Sequence, residues 1–226
     1  MTASTYIDRH VDDQECVIST MGNWAWCYRD QAAILESLLR PGMTVLDVGC
    51  GSSAWYGSRG ARVIGLDPSA ESLARNIDVD ERICASATSI PLPDASVDLV
   101  VALYAVHHCT TQTYGGCRLR AERVLREMQR VVKPNGDILV FEMRPHPWAA
   151  TLQRWCWDFA KALLGARLDS CFWADDLYPS HATVQTFAAP WYTLIAPIVS
   201  LPWLKIPRIL WPFTPILYRW SPGGPC

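Results

Sequence analysis

Short apolar runs alternate with helix-period segments from residue 28 to residue 142. "TVLDV" (44–48), "RVIGL" (62–66), "RICA" (82–85), "VDLVVAL" (97–103) and "DILVFE" (137–142) each read as a buried strand bounded by turn residues. Ahead of them, "DQAAILESLL" is amphipathic with a helical period and stops at "RPG". Between the last two strands, Ala121, Val124, Leu125, Met128 and Val131 share one helix face, and "KPNG" is expected to end that helix with a proline and an Asn-Gly turn. Strands separated by helices predict a parallel sheet covered on both faces, an α/β doubly wound architecture.

The pattern changes near residue 147. Trp148, Leu152, Trp155, Phe159 and Leu163 fit one helix face, and eight of the eleven tryptophans lie from residue 148 onward. No acidic residue follows Asp176, and the formal charges beyond it are Lys205, Arg208 and Arg219. Prolines recur at 190, 197, 202, 207, 212, 215, 222 and 225. These shifts suggest an N-terminal segment over 1–27, a main domain over 28–200 and an apolar Pro/Trp-rich C-terminal tail over 201–226.

Composition narrows the function classes. The 226 residues are long enough for one sizeable core, and half of them are hydrophobic, which is globular rather than disordered composition. Net charge is −2 without a dense Lys/Arg block, so no nucleic-acid partner is expected. The nine cysteines show no CxxC pair and no zinc-site spacing, so no metal is expected. The opening "MTASTYIDRHVDDQ" carries charges where a signal peptide needs an apolar core, which points to reduced thiols and a cytoplasmic location.

The candidate chemistry sits at "VLDVGCGSS" (45–53). A strand that breaks into glycines lets the main chain approach a ligand closely, and in open α/β sheets ligands lie beyond the carboxyl ends of the strands. The loop "GCGSSA" lacks the third glycine of a dinucleotide fingerprint, which weakens a nicotinamide reading. Twenty residues after Asp47, Asp67 ends the second strand in "VIGLDPS", where a carboxylate can accept from ribose hydroxyls.

With those residues in view, "VLDVGCG", "VIGLDPS", "SATSIPLPDASVDLVV", "ALYAVHH" and "LREMQRVVKPNGDILVFE" resemble, in order and spacing, the successive motifs of class I S-adenosylmethionine-dependent methyltransferases, nearest to the ubiquinone/menaquinone and related small-molecule group. The resemblance covers roughly residues 28 to 145 and implies a Rossmann-like seven-stranded methyltransferase sheet with S-adenosylmethionine as cofactor. By position it implies that Gly49, Cys50 and Gly51 line the methionine and ribose portion, that Asp47 orders the loop through water or the amino group, and that Asp67 holds the ribose diol. It further implies that Pro68 lies along the adenine, that Ser86 and Ala87 stand where the family has an acidic residue facing the adenine amino group, and that Tyr104 lines the site. "SSAWYGSRGARV" is about one helical turn shorter than usual, so the first crossover helix is expected to be stunted, with Trp55 and Tyr56 covering the cofactor instead.

Methyl transfer from a sulfonium is an in-line displacement that asks mainly for proximity and orientation, with a base where the acceptor carries an acidic proton. His108 is the candidate base, at the carboxyl end of the fourth strand. If the strand reaches that far, His107 is expected to point the other way by alternation, and His146 and His181 lie later. No Asn/Asp-Pro-Pro-aromatic sequence follows that strand, which argues against methylation of an exocyclic amine on a nucleobase or amide.

In the C-terminal part, "ATVQTF" and "WYTLIAPIV" are expected as sixth and seventh strands. Residues 203–220, where Trp203, Trp211 and Trp220 alternate with Lys205, Arg208 and Arg219, suit a membrane surface. The expected function is methyl transfer to a small lipophilic acceptor such as a quinone, isoprenoid or lipid-linked intermediate, by an enzyme that is cytoplasmic or peripheral on a membrane. Two alternatives stay open: a methyltransferase of a soluble natural-product scaffold, and a non-catalytic membrane-associated adaptor with the same fold.

Overall fold

The computed structural model describes residues 25–54, 56–169, 172–187, 191–196, 199–207 and 213–223. Helix α1 (Ala25–Leu38) leads into β1 (Thr44–Val48), followed by β2 (Arg62–Asp67), α2 (Ala70–Arg75), β3 (Glu81–Cys84) and β4 (Val97–Leu103). A one-turn 3-10 segment, Val106–His108, precedes α3 (Tyr114–Val131), β5 (Val132–Pro145) and α4 (Pro147–Leu164). Strands β6 (Thr183–Thr186), β7 (Trp191–Ala196), β8 (Val199–Pro207) and β9 (Phe213–Trp220) complete the chain.

Seven strands form one sheet in the order β3-β2-β1-β4-β5-β9-β6, and β7 and β8 pair separately as an antiparallel hairpin. The first five strands are parallel, and β9 runs antiparallel to both β5 and β6. Strand order reverses between β1 and β4, so their carboxyl ends frame the crevice where open α/β sheets take ligands.

The strand alternation sorts side chains between two layers. Leu46, Val48, Val100, Ala102, Ile138 and Val140 pack with the face of α3 carrying Ala121, Val124, Leu125, Met128 and Val131. Val45, Val63, Leu99, Val101, Leu139 and Phe141 pack on the other face with Leu35 and Leu39, from α1 and just beyond it. Helices begin where the sequence supplies caps. Ser69 accepts from the Ser72 amide at 3.1 Å to start α2, Thr113 accepts from the Gly116 amide at 3.1 Å to start α3, and Pro147 occupies the first turn of α4.

All five strands of the parallel set fall where the alternation predicts, and "KPNG" differs. No separate turn is formed there. β5 begins directly at Val132, and its pairing to β4 shifts from Val97↔Val132 to Leu99↔Asp137, so residues 133–136 bulge out of the ladder. A side chain at Gly136 would stand 2.6 Å from the Asp98 carbonyl, which explains the glycine at this close approach.

The crossover from β1 to β2 contains no helix among its described residues. The expected stunted helix is therefore a string of turns. Trp55 lies outside the described residues.

The C-terminal part differs more. The sixth strand is present at 183–186, but the place beside β5 expected for 191–199 is held by 213–220. Ile216, Leu217, Tyr218 and Trp220 are buried, and Arg219 meets Asp137 of β5 at 2.6 Å. Apolar residues bury both faces of this inner strand, and its cation pairs with an acid of the neighbouring strand. Trp220 and Arg219 thus belong to the sheet rather than to a membrane-facing tail. Arg208 and Trp211 lie outside the described residues, as do residues 1–24 of the expected N-terminal segment.

The Trp148–Leu163 stripe does lie on a single helix, α4, and it faces outward: Trp155 is 82% exposed and Phe159 76%. That helix is anchored instead by Trp157 and by Lys161, whose ammonium pairs with Asp169.

A chain ending at residue 207 loses β9, and with it four buried side chains worth roughly 1.5–3 kcal/mol each against a typical domain stability of roughly 5–15 kcal/mol. It is expected to show no cooperative urea transition; retention of a sharp one would show that the sheet does not need this strand.

Candidate active site

The crevice at the carboxyl ends of β1, β2 and β4 is built around the glycine loop. Gly49, at φ +75°, turns the chain directly after β1, and its amide donates to the Leu66 carbonyl at 2.7 Å. A Cβ at Gly49 would stand 2.5 Å from that of Ala105, so the loops after β1 and β4 touch where the strand order reverses. Cys50 folds back over β2, where its sulfur would lie 2.7 Å from a Cβ at Gly65. The loop lies this low because β2 carries a glycine beneath it.

Two carboxylates face this loop with different degrees of satisfaction. Asp67 accepts from the Gly51 amide at 3.0 Å and from the Ser69 amide at 2.8 Å, which ties the loop to the end of β2. Asp47 is 1% exposed and accepts from the Tyr56 hydroxyl at 3.0 Å through Oδ2, while its Oδ1 has no partner among the described residues. Burial raises the Asp47 carboxyl to about 7, against the lowering pull of the Tyr56 bond and with a further push from Asp67. Burial also raises Asp67, offset by its two amide bonds. The Cys50 thiol is pushed far up by burial and by both carboxylates, so it is no nucleophile.

Two residues beyond the sequence candidates, with Tyr56, hold the loop in place. Asn76, fully buried at the end of α2, donates through Nδ2 to the carbonyls of Cys50 (3.3 Å) and Gly51 (3.1 Å). Asp78 accepts from the Ser53 hydroxyl at 2.8 Å and the Ala54 amide at 2.9 Å. Tyr56 reaches under the loop to Asp47, so it supports the acid rather than covering a ligand. Asn76 and Asp78 do not stand out in the sequence, because each acts through a contact that only the fold creates.

The remaining candidates spread along the same edge. Tyr104 follows β4 at φ +54°, a conformation costing roughly 1–3 kcal/mol for a non-glycine residue, and its hydroxyl meets the buried Gln31 side chain of α1 at 2.7 Å. Pro68 is exposed beside Asp67. Ser86 is exposed after β3, with its hydroxyl 2.8 Å from that of Thr88, and Ala87 is half-buried beside it. Asp47, Gly49, Cys50, Gly51 and Asp67 are thus brought together, with Tyr104 across the switch point and Ser86 and Ala87 beyond β3.

The histidines fall differently from the alternation argument, because residues 106–108 form a 3-10 turn rather than strand. His108 is exposed at that turn. His107 is half-buried against Glu142 of β5, and both line a cleft with Phe172, Trp173, Tyr178 and Tyr218. His146 is an exposed N-cap of α4, and His181 is exposed ahead of β6. Among the described residues no group of His, Cys, Asp and Glu could hold a metal ion, and no helix is long and apolar enough to cross a membrane.

Residues 46–140 match the family model described as "Methyltransferase domain". A tRNA (carboxymethyluridine(34)-5-O)-methyltransferase of Arabidopsis thaliana is 31% identical over 111 residues, 48% of this chain and 26% of that protein. A demethylmenaquinone methyltransferase of Beutenbergia cavernae is 33% identical over 125 residues, 52% of this chain and 48% of that one. This chain therefore spans about half or less of the curated relatives it matches. An S-adenosylmethionine-dependent methyltransferase of Thermotoga maritima shares the fold with a TM-score of 0.57 at 18% identity, over 97% of this chain and 99% of that one.

Because the folded Asp47 carboxyl titrates near 7 and an unperturbed one near 3.8, the folded chain keeps a proton that the unfolded chain has released. This contribution to stability is fully present below about 3.8 and is lost as pH rises towards 7. Urea midpoints are expected to fall between pH 5 and pH 8, and Asp47→Asn to shrink that fall. An equal fall in both proteins would contradict the assignment.

Proposed function

We propose that this chain, which belongs to the class I S-adenosylmethionine-dependent methyltransferases, transfers a methyl group from S-adenosylmethionine to a small lipophilic acceptor. The observation that carries the cofactor half is the buried Asp47 oxygen without a partner, beside a second carboxylate, under a glycine loop at the switch point. A buried acceptor of this kind calls for a donor or a cation, and the ammonium of the cofactor's methionine portion is both. Asp67 keeps acceptor capacity beyond its two amide bonds for the ribose diol. Gly49, Cys50 and Gly51 line the methionine and ribose, Pro68 lies along the adenine, Ser86 and Ala87 stand by its amino group, and Tyr104 closes the site from β4.

The bound cofactor supplies an activated methyl on a sulfonium. The chain's own share is positioning. Asn76 and Asp78 fix the loop carbonyls and amides from below, Gly49 and Ala105 set the distance between the two loops, and the Asp47 and Asp67 carboxylates favour a cationic ligand over its neutral product.

The acceptor half rests on two apolar surfaces. The cleft beside His107 is walled by Phe172, Trp173, Tyr178 and Tyr218, and the outward face of α4 offers Trp148, Leu152, Trp155, Phe159 and Leu163 to an apolar partner. The B. cavernae relative is named for demethylmenaquinone, an acceptor of this class. A peripheral membrane location is part of the same proposal, and the outward apolar face of α4 supports it.

Incubation with methyl-labelled S-adenosylmethionine and an extract of the host cells, followed by phase partition, tests the whole reading: label is expected in the organic phase, and label confined to the aqueous phase would overturn the lipophilic acceptor. Asp67→Ala is expected to weaken S-adenosylhomocysteine about 100-fold by calorimetry, the loss of two hydrogen bonds to a charged group. Unchanged affinity would remove Asp67 from the site.

A further inference from the structure

Helix α4 is held to the protein along one side and is bare along the other. On the inner side Trp157 Nε1 donates to the Thr111 carbonyl at 3.3 Å, and the buried Lys161 ammonium pairs with Asp169. Opposite Trp157 at the helical period stand Trp148, Leu152, Trp155, Phe159 and Leu163, all exposed. An aromatic side chain presents roughly 150–250 Å², so Trp148 at 47% exposure, Trp155 at 82% and Phe159 at 76% leave roughly 300–500 Å² of aromatic surface in water before the two leucines are added. A contiguous apolar patch beyond about a few hundred Å² marks a contact surface.

The chemistry of this face says what it contacts. The formal charges of α4 are Arg154, Asp158 and Lys161, and all three are engaged with the body of the protein: Arg154 lies 3.9 Å from Asp176, Asp158 accepts from the Tyr114 amide at 2.8 Å, and Lys161 holds Asp169. The outward side carries no charge. Its Thr151 hydroxyl donates to the Pro147 carbonyl at 2.9 Å, and the other polar groups there are the Cys156 thiol and the indole N–H groups of Trp148 and Trp155. A protein partner, a second copy included, joins through a polar rim with roughly one hydrogen bond per 100–200 Å², and this face offers little to build one. The boundary of a bilayer asks for no such pairing, and tryptophan favours the level where acyl chains meet headgroups. No described helix is long and apolar enough to cross a membrane, so the contact is along the helix rather than through it.

We infer that α4 is the membrane-docking element of this protein and that its outward face lies in the interface of a phospholipid bilayer, held by apolar insertion and not by charge. This rests on the peripheral location included in the reading above and names the surface and the kind of lipid. Cations within 203–220 suggest attraction to anionic lipid, but Arg219 and Trp220 belong to the sheet, and the α4 face is neutral. Attachment through α4 therefore needs no anionic lipid and withstands salt. α4 starts directly after β5, which is parallel to β4, so Trp148 stands near the same edge of the sheet at which the crevice opens. Docking by this helix brings that edge towards the phase in which a lipophilic acceptor dissolves.

Flotation of the full chain with vesicles of phosphatidylcholine alone tests the inference. The wild type is expected to float with them equally at about 0.1 M and about 1 M salt. Trp155→Glu with Phe159→Glu is expected to weaken binding at least about 100-fold, the loss of two inserted aromatic side chains. The urea midpoint should not move, because both residues are exposed; should it fall, Trp155→Ser with Phe159→Ser carries the same expectation. Ile77→Glu, at an exposed position between α2 and β3, should bind vesicles as the wild type does. Binding that survives in the α4 variants, that is lost equally in Ile77→Glu, or that appears only with anionic lipid and collapses at high salt would overturn the inference. So would a dimer in sedimentation that the α4 substitutions dissolve, since a second copy would then cover the face. S-adenosylhomocysteine affinity, read by calorimetry without vesicles, should be unchanged in every α4 variant; its absence in the wild type would strike the methyl-transfer reading and leave the docking result standing.

Discussion

The arrangement turns on one unfavourable burial: the Asp47 carboxylate, almost wholly removed from water with one oxygen unpaired. A charge in that position is held only at a cost, which shows as a carboxyl titrating near 7. The surrounding structure makes the position unavoidable. Asp47 is the penultimate residue of a central strand, on the side of the sheet shared with Val45, and Tyr56 reaches back along the helix-free crossover to bind it. With no helix described between β1 and β2, that tyrosine lies where it can support the acid directly.

The rest of the site follows from how closely two loops approach. Gly49 against Ala105 brings the β1 and β4 ends into contact, Gly65 admits the Cys50 sulfur, and Asn76 ties the loop carbonyls to α2. The loop is therefore clamped from three elements before any ligand arrives. Such preorganisation is what an in-line displacement requires, since the chemistry itself demands little beyond alignment. On the far side of the switch point, Tyr104 in a left-handed conformation marks where β4 gives way to the turn that presents His107 to Glu142.

Much of this was legible in the sequence, and what was not has identifiable causes. Four of the parallel strands were visible because their apolar runs are buried, whereas β3, expected as buried too, is an edge strand of half-buried and exposed residues; Asp47, Gly49, Gly51 and Asp67 were visible because a strand followed by glycines and a later strand-end acid have a strong local signature. Strand alternation did not extend to His107, since β4 ends at Leu103 and Val106–His108 forms a 3-10 turn, and Glu142 could not be paired with His107 from sequence at a separation of 35 residues. The seventh strand was placed too early because 191–199 is as apolar as 213–220. The fold distinguishes the two through the ion pair of Arg219 with Asp137. The α4 stripe was legible as a helix face, but periodicity cannot say whether such a face turns inward, and here Trp157 and Lys161 do so instead.

The measurement closest to the central claim is calorimetric titration of the protein with S-adenosylmethionine near pH 6, in two buffers of different ionisation heat. If the Asp47 carboxyl is held neutral by burial until a cationic ligand reaches its unpaired oxygen, binding must expel its proton, and the apparent enthalpy will differ between buffers by close to one proton's worth. Asp47→Asn should erase the difference. Binding with no proton released in the wild type would contradict the account, because the buried acid would then not be the group that meets the cation.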